Sequence, residues 1–258
     1  MIVIFTDLDG TLLDHETYSY DAALPALAAL RAGGIPLVLA SSKTEAEMRP
    51  IADAIGIDHP MIVENGAGIA NLSGHDAKES NHFDSLRRFL QALPEPLAGL
   101  FQGFGDWSVE EVAARTGLPP AAARLAKHRR FSEPGLFSGN AQQKAEFCAR
   151  LDAIGCQAVQ GGRFLTLMPK TSKAERMAEV IAHYRDISSE PVRSVALGDA
   201  PNDLAMLEAA DRGFIIANPA HAPLPVTERE RLGFISRSRK AGPEGWNERI
   251  LQLVETGF

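Results

Sequence analysis

The chain has 258 residues, 45% of them apolar and 23% charged, a globular composition that excludes a disordered, fibrous or membrane-embedded protein. Its 26 basic and 33 acidic residues leave a formal charge of −7, which repels the nucleic-acid backbone at long range, so no DNA or RNA partner is expected. No apolar run approaches the roughly 18 to 20 residues that cross a bilayer, which argues against a membrane partner.

The predicted elements alternate. A strand, Ile2–Thr6, opens the chain; with no basic segment before it and a carboxylate at Asp7, it reads as neither a signal peptide nor an anchor, and a cytoplasmic protein follows. Residues 21–31 are rich in Ala and Leu and end at Gly33-Gly34, a helix with its stop. A strand at 35–40, a helix at 44–55 ending on Gly56 and a strand at Met61–Val63 repeat the arrangement. Residues 80–165 break it: they hold ten basic and eight acidic side chains, net positive in an acidic protein, and nine of the 17 aromatics. Such a shift predicts a separate module inserted in the chain, entered through the polar stretch at 73–81. Its two cysteines, Cys148 and Cys156, match neither a zinc pair nor a Cys-x-x-Cys motif and read as small buried apolar residues.

Beyond the insert, Ser172 precedes a helix at 172–184 carrying Ala174, Met177, Ala178, Ile181 and Ala182 at helical spacing, and strands follow at 194–197, 214–217 and 234–236. The fold class is therefore α/β, a doubly wound and mainly parallel sheet formed by 1–79 and 166–258, with a smaller inserted domain at 80–165.

The first strand feeds into Thr6-Asp7-Leu8-Asp9-Gly10-Thr11, so two carboxylates leave the carboxyl end of a strand, the edge where open α/β sheets bind ligands. Asp-Gly is also an ordinary turn. A second acidic group, Gly198-Asp199-Ala200-Pro201-Asn202-Asp203, ends another strand. Anionic oxygens converging on one edge repel unless a cation lies between them, and Mg²⁺ suits a few carboxylates with water and phosphate. The second strand ends Ser41-Ser42-Lys43, a hydroxyl and backbone N–H groups at a helix start, either an anion cradle with Ser41 as phosphate ligand or a simple N-cap. Lys173 begins the third helix and could bring a compact positive charge to phosphate and to a carboxylate, although a lone lysine is ordinarily solvated.

Asp7-Leu-Asp9-Gly-Thr11, Ser41, Lys173 and Gly198 to Asp203, in this order and strand context, resemble the haloacid dehalogenase (HAD) superfamily of phosphohydrolases, and the insert resembles its C2-type α+β cap on a Rossmann-type core. Ser41-Ser-Lys-Thr44, Val63-Glu-Asn-Gly66, Gly161-Gly-Arg-Phe164 and Gly242-Pro-Glu-Gly-Trp-Asn247 further resemble the mannosyl-3-phosphoglycerate phosphatases.

The resemblance implies that Asp7 is a nucleophile forming an aspartyl phosphate, that Asp9 is the general acid and base, and that Ser41 and Lys173 hold the phosphoryl oxygens. It implies Mg²⁺ on Asp7, Asp199 and the Asp9 carbonyl, with Asn202 and Asp203 in or near its outer shell. The implied substrate is a small phosphorylated sugar-glycerate, acted on by a monomer or homodimer, with mannosyl-3-phosphoglycerate converted to mannosylglycerate. Arg163, beside Gly162, is the first choice for the substrate carboxylate, although Gly161-Gly162 also reads as a hairpin turn with Arg163 exposed. The basic run Lys127-His128-Arg129-Arg130 is the weaker choice, since short basic runs are usually solvated faces. Ser42 and Lys43 are expected to bind substrate, and Glu64, Asn65 and Gly66 to meet its sugar hydroxyls; Glu64 or Asn65 could instead cap the next element, and Trp246 could face a sugar ring or belong to the core. Rival readings are a glucosyl-3-phosphoglycerate or other sugar-phosphate phosphatase, a phosphomutase passing the aspartyl phosphate to an acceptor hydroxyl, and a sugar-phosphate sensor without turnover.

Overall fold

A computed structural model describes residues 1–72, 81–220 and 222–257; most of the polar stretch expected to lead into the insert, 73–80, lies outside the described residues. In chain order, β1 (Ile2–Thr6), α1 (Leu24–Ala32), β2 (Leu37–Ala40), α2 (Glu45–Ile55), β3 (Met61–Val63) and β4 (Gly68–Ala70) come first. The middle third holds α3 (His82–Gln91), β5 (Phe101–Gly103), α4 (Val109–Thr116), α5 (Pro120–Ala126), β6 (Glu133–Phe137), α6 (Ala141–Ala153), β7 (Cys156–Gly161) and β8 (Phe164–Pro169). The last part comprises α7 (Lys173–Ile187), β9 (Arg193–Gly198), α8 (Leu204–Ala209), β10 (Arg212–Ala217), α9 (Glu228–Arg231), β11 (Ile235–Ala241) and α10 (Gly242–Thr256).

Seven strands form one sheet in the order β11-β10-β9-β1-β2-β3-β4, parallel throughout except where β4 pairs antiparallel with β3. Buried on both faces, β1 is apolar at every position from Ile2 to Phe5, as central parallel strands are. Its period of two divides the core. Ile4 packs under Leu27, Leu30, Met48 and Ile250 of α1, α2 and α10, whereas Val3 and Phe5 pack against Met177, Val180 and Met206 of α7 and α8. Helices on both faces make the sheet doubly wound. The chain moves outward from β1 to β2 on one side and from β9 to β10 on the other, so β1 and β9 flank the point where strand order reverses, where such sheets bind ligands.

The second sheet is antiparallel, β5-β6-β8-β7. Leu165 and Leu167 of β8 bury one of its faces against Leu86 of α3 and Phe147 and Leu151 of α6. Phe164 packs on a separate cluster of Phe104, Trp107, Val112 and Ala123. Because β8 stays paired with β7 through Pro169, the second sheet runs past the expected limit at Leu165. Both cysteines are free, Cys156 buried and Cys148 half-buried. No helix among the described residues is long and apolar enough to cross a membrane.

Candidate active site

Strands β1 and β9 are parallel neighbours with Thr6 opposite Leu197, so Asp7 and Asp199 emerge side by side at one sheet edge. Asp203, in the turn that follows, comes back to the same point. One carboxylate oxygen from each of the three lies within 4.8 Å of the others, and all three residues are buried. Lys173 reaches them from the first turn of α7: its Nζ is 2.6 Å from Asp7 Oδ1 and 2.6 Å from Asp203 Oδ1. The lysine expected to be solvated unless functional is 2% exposed.

Neighbouring chain holds each group in place. Asp203 Oδ2 accepts from the backbone N–H groups of Asp199 and Ala200, so both of its oxygens are already engaged. Asp199 accepts from Thr11 Oγ1 at 2.6 Å and from Asn218 Nδ2 at 2.8 Å. Those contacts need Gly10: its φ is +82°, and a Cβ there would lie 2.3 Å from Asn218 Nδ2 and 2.9 Å from Asp199 Oδ2. Behind Asp7, Trp246 Nε1 donates to Thr6 Oγ1 at 3.0 Å and Thr6 Oγ1 donates to the Asp7 carbonyl at 2.8 Å. Trp246 is thus a fully buried core residue, and Asn247 accepts from the Ala26 N–H; the Gly242 to Asn247 signature fastens α10 to the sheet.

Burial, then the charge of Asp203, pushes the Asp7 carboxyl well above the ordinary aspartate range, against the pull of Lys173. Burial also works against the Lys173 ammonium, but Asp203 and Asp7 outweigh it and hold its pKa above the usual lysine value. Lys173 thus pairs with two of three clustered buried carboxylates, Asp7 and Asp203, while Asp199 is held by Thr11 and Asn218; three acidic groups beside one lysine fit a divalent cation with oxygen ligands.

Asp9 stands apart from this cluster. Its Oδ2 lies 2.8 Å from Lys43 Nζ, while Oδ1 is buried without a hydrogen-bond partner among the described residues. Burial depresses Lys43, yet Asp9 more than compensates and raises it. Ser41 directly follows β2, next to β1, and is buried with its carbonyl accepting from Asn65 N. Neither Ser41 nor Ser42 caps α2; Thr44 does, its Oγ1 accepting from Glu47 N while the Glu47 carboxylate accepts from Thr44 N. That leaves the Ser41 hydroxyl free of the capping role, accepting a hydrogen bond of 3.3 Å from Lys43 N.

Between the two sheets lies a cleft of about 540 Å³, lined from the first sheet by Ser42, Asn65, Ala200, Pro201 and Asn202 and from the second by Phe104, Arg129, Pro134, Gln160, Gly162 and Thr166. Asn202 is exposed and donates to Asn65 Oδ1 at 3.1 Å across the cleft floor; its amide nitrogen is turned to Asn65. Glu64 also borders this space, but its carboxylate is occupied. Oε1 accepts from Arg130 N, and Oε2 accepts from Phe131 N, Ser132 N and Ser132 Oγ. The expected contact of Glu64 with sugar hydroxyls gives way to this bond between lobes, because four nearby donors saturate a buried acceptor. Gly66 serves packing: a Cβ on it would sit 2.3 Å from Lys173 N.

Arg163 also departs from the first expectation. Gly161 pairs with Phe164, which leaves Gly162 and Arg163 as a two-residue hairpin loop with Gly162 at φ +49°. Arg163 is exposed and donates to the Thr116 carbonyl at 3.1 Å. Arg129, the weaker choice, is the arginine that lines the cleft. Asn218 was missed outright. It follows the apolar run of β10 as Asp199 follows β9, and that shared position at strand ends is the signal that marks it.

The family model of haloacid dehalogenase-like hydrolases matches residues 4–95 and 135–224. The chain belongs to the haloacid dehalogenase-like hydrolases, and it is a phosphatase of that superfamily. It is 34% identical over 270 residues to a glucosyl-3-phosphoglycerate/mannosyl-3-phosphoglycerate phosphatase of Methanococcoides burtonii, covering 98% of this chain and 97% of the relative. A similarly named protein of Persephonella marina is 34% identical over 274 residues, covering 99% of each chain. Among solved structures, the sucrose-phosphatase of Synechocystis in complex with sucrose and phosphate shares the fold at TM-score 0.61 and 17% identity over 97% of both chains. A haloacid dehalogenase-like hydrolase of B. subtilis does so at TM-score 0.63 and 18% identity over the full length of both.

Proposed function

We propose that this phosphatase is Mg²⁺-dependent and cleaves the phosphomonoester of a glycosyl-3-phosphoglycerate, the mannosyl compound first and the glucosyl compound second. The observation that carries the reading is the position of Lys173 Nζ, 2.6 Å from both Asp7 and Asp203, beside Asp199. Full-length similarity to relatives named for both sugars supports the substrate class.

An Asp7 carboxylate oxygen attacks phosphorus, the bond from phosphorus to the glycerate oxygen breaks, and Asp9 gives its proton to the leaving alkoxide. Asp9 then takes a proton from water as that water attacks the aspartyl phosphate, which frees inorganic phosphate and restores Asp7. Asp9 leaves its contact with Lys43 to do this. Lys173 and the Ser41 hydroxyl bind non-bridging oxygens, positioning the group and balancing its charge. The residues that would hold Mg²⁺ are Asp7, Asp199 and the Asp9 carbonyl, with Asp203 orienting Lys173 and the 199–200 backbone, and Asn202 farther out. When bound, the ion polarises the phosphoryl group and offsets the surplus negative charge of the three aspartates. Residues 80–165, together with β8 to Pro169, act as a C2-type cap that covers the cleft, in a cytoplasmic monomer or homodimer.

Phosphate release from mannosyl- and glucosyl-3-phosphoglycerate, unrelated sugar phosphates and a mutase acceptor, with Mg²⁺ and with EDTA, tests the reading. Release from the two glycosyl-3-phosphoglycerates, lost in EDTA and in Asp7→Asn while Asp7→Asn still binds substrate, is expected. Equal rates on all sugar phosphates would reject the narrow substrate, isomer formation without free phosphate would reject hydrolysis, and binding without turnover by the unaltered protein would make it a sensor.

A further inference from the structure

We infer that Arg129 is the group that binds the carboxylate of the substrate, and that Glu64 positions it. This rests on the proposed substrate class and deepens it. A 3-phosphoglycerate ester carries a second anion beside its phosphate, and Arg129 is the one cationic side chain among the residues lining the cleft. The side chain is 9% exposed, so its charge is poorly screened by water and poorly replaced by it.

Its existing contacts hold it without exhausting it. Nε donates to the Ala126 carbonyl at 3.0 Å, and Nη1 to the Ser42 carbonyl at 3.2 Å and to Ser132 Oγ at 3.4 Å. Nη2 has no hydrogen-bond partner among the described residues, which leaves its N–H groups to make a charge-assisted hydrogen bond to a carboxylate. The Phe104 ring lies under the guanidinium, 5.6 Å from its centroid, and fixes its plane. Glu64, the one carboxylate among the cleft-lining residues, pairs with it without a direct hydrogen bond: its nearest oxygen is 3.9 Å from Arg129 Nη1 and also accepts from three donors of Phe131 and Ser132. By gripping Arg130 to Ser132, Glu64 fixes the backbone next to Arg129. The Ser42 carbonyl adjoins Ser41, the proposed phosphate ligand, so carboxylate and phosphate would be read by adjoining parts of one surface. Arg163, in its exposed hairpin loop, donates elsewhere.

The test compares 3-phosphoglycerate with glycerol 3-phosphate, which lacks the carboxylate, as competitive inhibitors of p-nitrophenyl phosphate hydrolysis. The unaltered enzyme is expected to bind 3-phosphoglycerate at least tenfold more tightly. Arg129→Met should collapse that ratio to about one, whatever it does to the absolute rate, Arg129→Lys should retain part of it, and Arg163→Met should leave it standing. Absence of a preference in the unaltered enzyme, or a ratio that survives in Arg129→Lys and Arg129→Met alike, overturns the inference. Inhibitor ratios do not depend on turnover of a glycosyl ester, so failure of that ester as a substrate would reject the substrate assignment alone.

Discussion

Gly66 and Lys173 are in backbone contact: a Cβ placed on Gly66 would lie 2.3 Å from the Lys173 nitrogen and 2.3 Å from the Ser172 carbonyl carbon. The bend after β3 thus seats the first turn of α7, and with it the ammonium that joins Asp7 to Asp203. Gly66 also has φ +85°. In Gly66→Ala the left-handed backbone costs ~1–2 kcal/mol and the overlap about as much again. We expect about 3 kcal/mol of lost stability, on the order of 8 °C in Tm, and a fall in kcat larger than the rise in KM as Lys173 shifts. Thermal melts and steady-state kinetics check this; a Tm within a degree of the starting protein would contradict the packing role.

Replacing Lys173 by Met leaves Asp7 and Asp203 buried beside each other with no cation between them. Removing one partner of a buried ion pair costs about 3–5 kcal/mol. Lys173→Met should therefore be unstable as well as inactive. The second change Asp203→Asn should return part of the stability, because it removes an orphaned charge, and none of the activity. Urea unfolding of the single and double variants measures both effects. Full additivity of the two losses would show that the three groups do not act together.

Glu133 makes stability depend on pH. Its side chain is wholly buried; Oε1 accepts from Gly105 N and Arg87 Nη1, while Oε2 is buried with no partner among the described residues. Burial pushes its pKa up to about 7 despite those donors. The unfolded chain ionises near the ordinary glutamate value, so between about pH 4.5 and 7 the folded protein holds the extra proton and stability falls as pH rises. The loss is about 3 kcal/mol across that window and levels off above it. Urea midpoints from pH 5 to pH 8 should show the slope, and Glu133→Gln should flatten this part of it. An unchanged slope in the variant would place the titration elsewhere.

How much of this was legible beforehand depended on how local the cause was. The run Ile2–Thr6 ending in Asp7 announces a central strand, since both faces are apolar and the carboxylate can only sit at its end. Asp199 at the end of β9 could be read in the same way. The second sheet could not: β5 is three residues long, and β6, Glu-Pro-Gly-Leu-Phe, lacks the alternation that marks a half-buried strand. Gly161-Gly162 drew attention to Arg163 because paired glycines are conspicuous, but they mark a hairpin. Arg129 owes its place to Ser42 and, through the neighbouring backbone, to Glu64, far away in the chain. No short-range pattern encodes such a contact.

Glu64 is the element of that contact most open to test. Its backbone is left-handed at φ +51° and that of Asn65 at φ +62°, an uncommon arrangement for two successive non-glycine residues, kept here by the four donors that hold the carboxylate. Glu64→Ala leaves the N–H groups of Arg130, Phe131 and Ser132 without an acceptor, which costs ~1–3 kcal/mol for each that stays buried. The segment should open instead, with amide exchange at 130–132 faster by on the order of 100-fold, equivalent to about 3 kcal/mol of local stability. Glu64→Gln should lie between the two: its carbonyl oxygen can still serve Ser132, while its NH₂ group meets the Arg130 N–H, donor against donor. Hydrogen exchange read by mass spectrometry on peptides covering 128–134 and, as reference, β1 separates this from general destabilisation. Equal acceleration in β1 would mean that Glu64 supports the whole fold and not the junction of the two lobes.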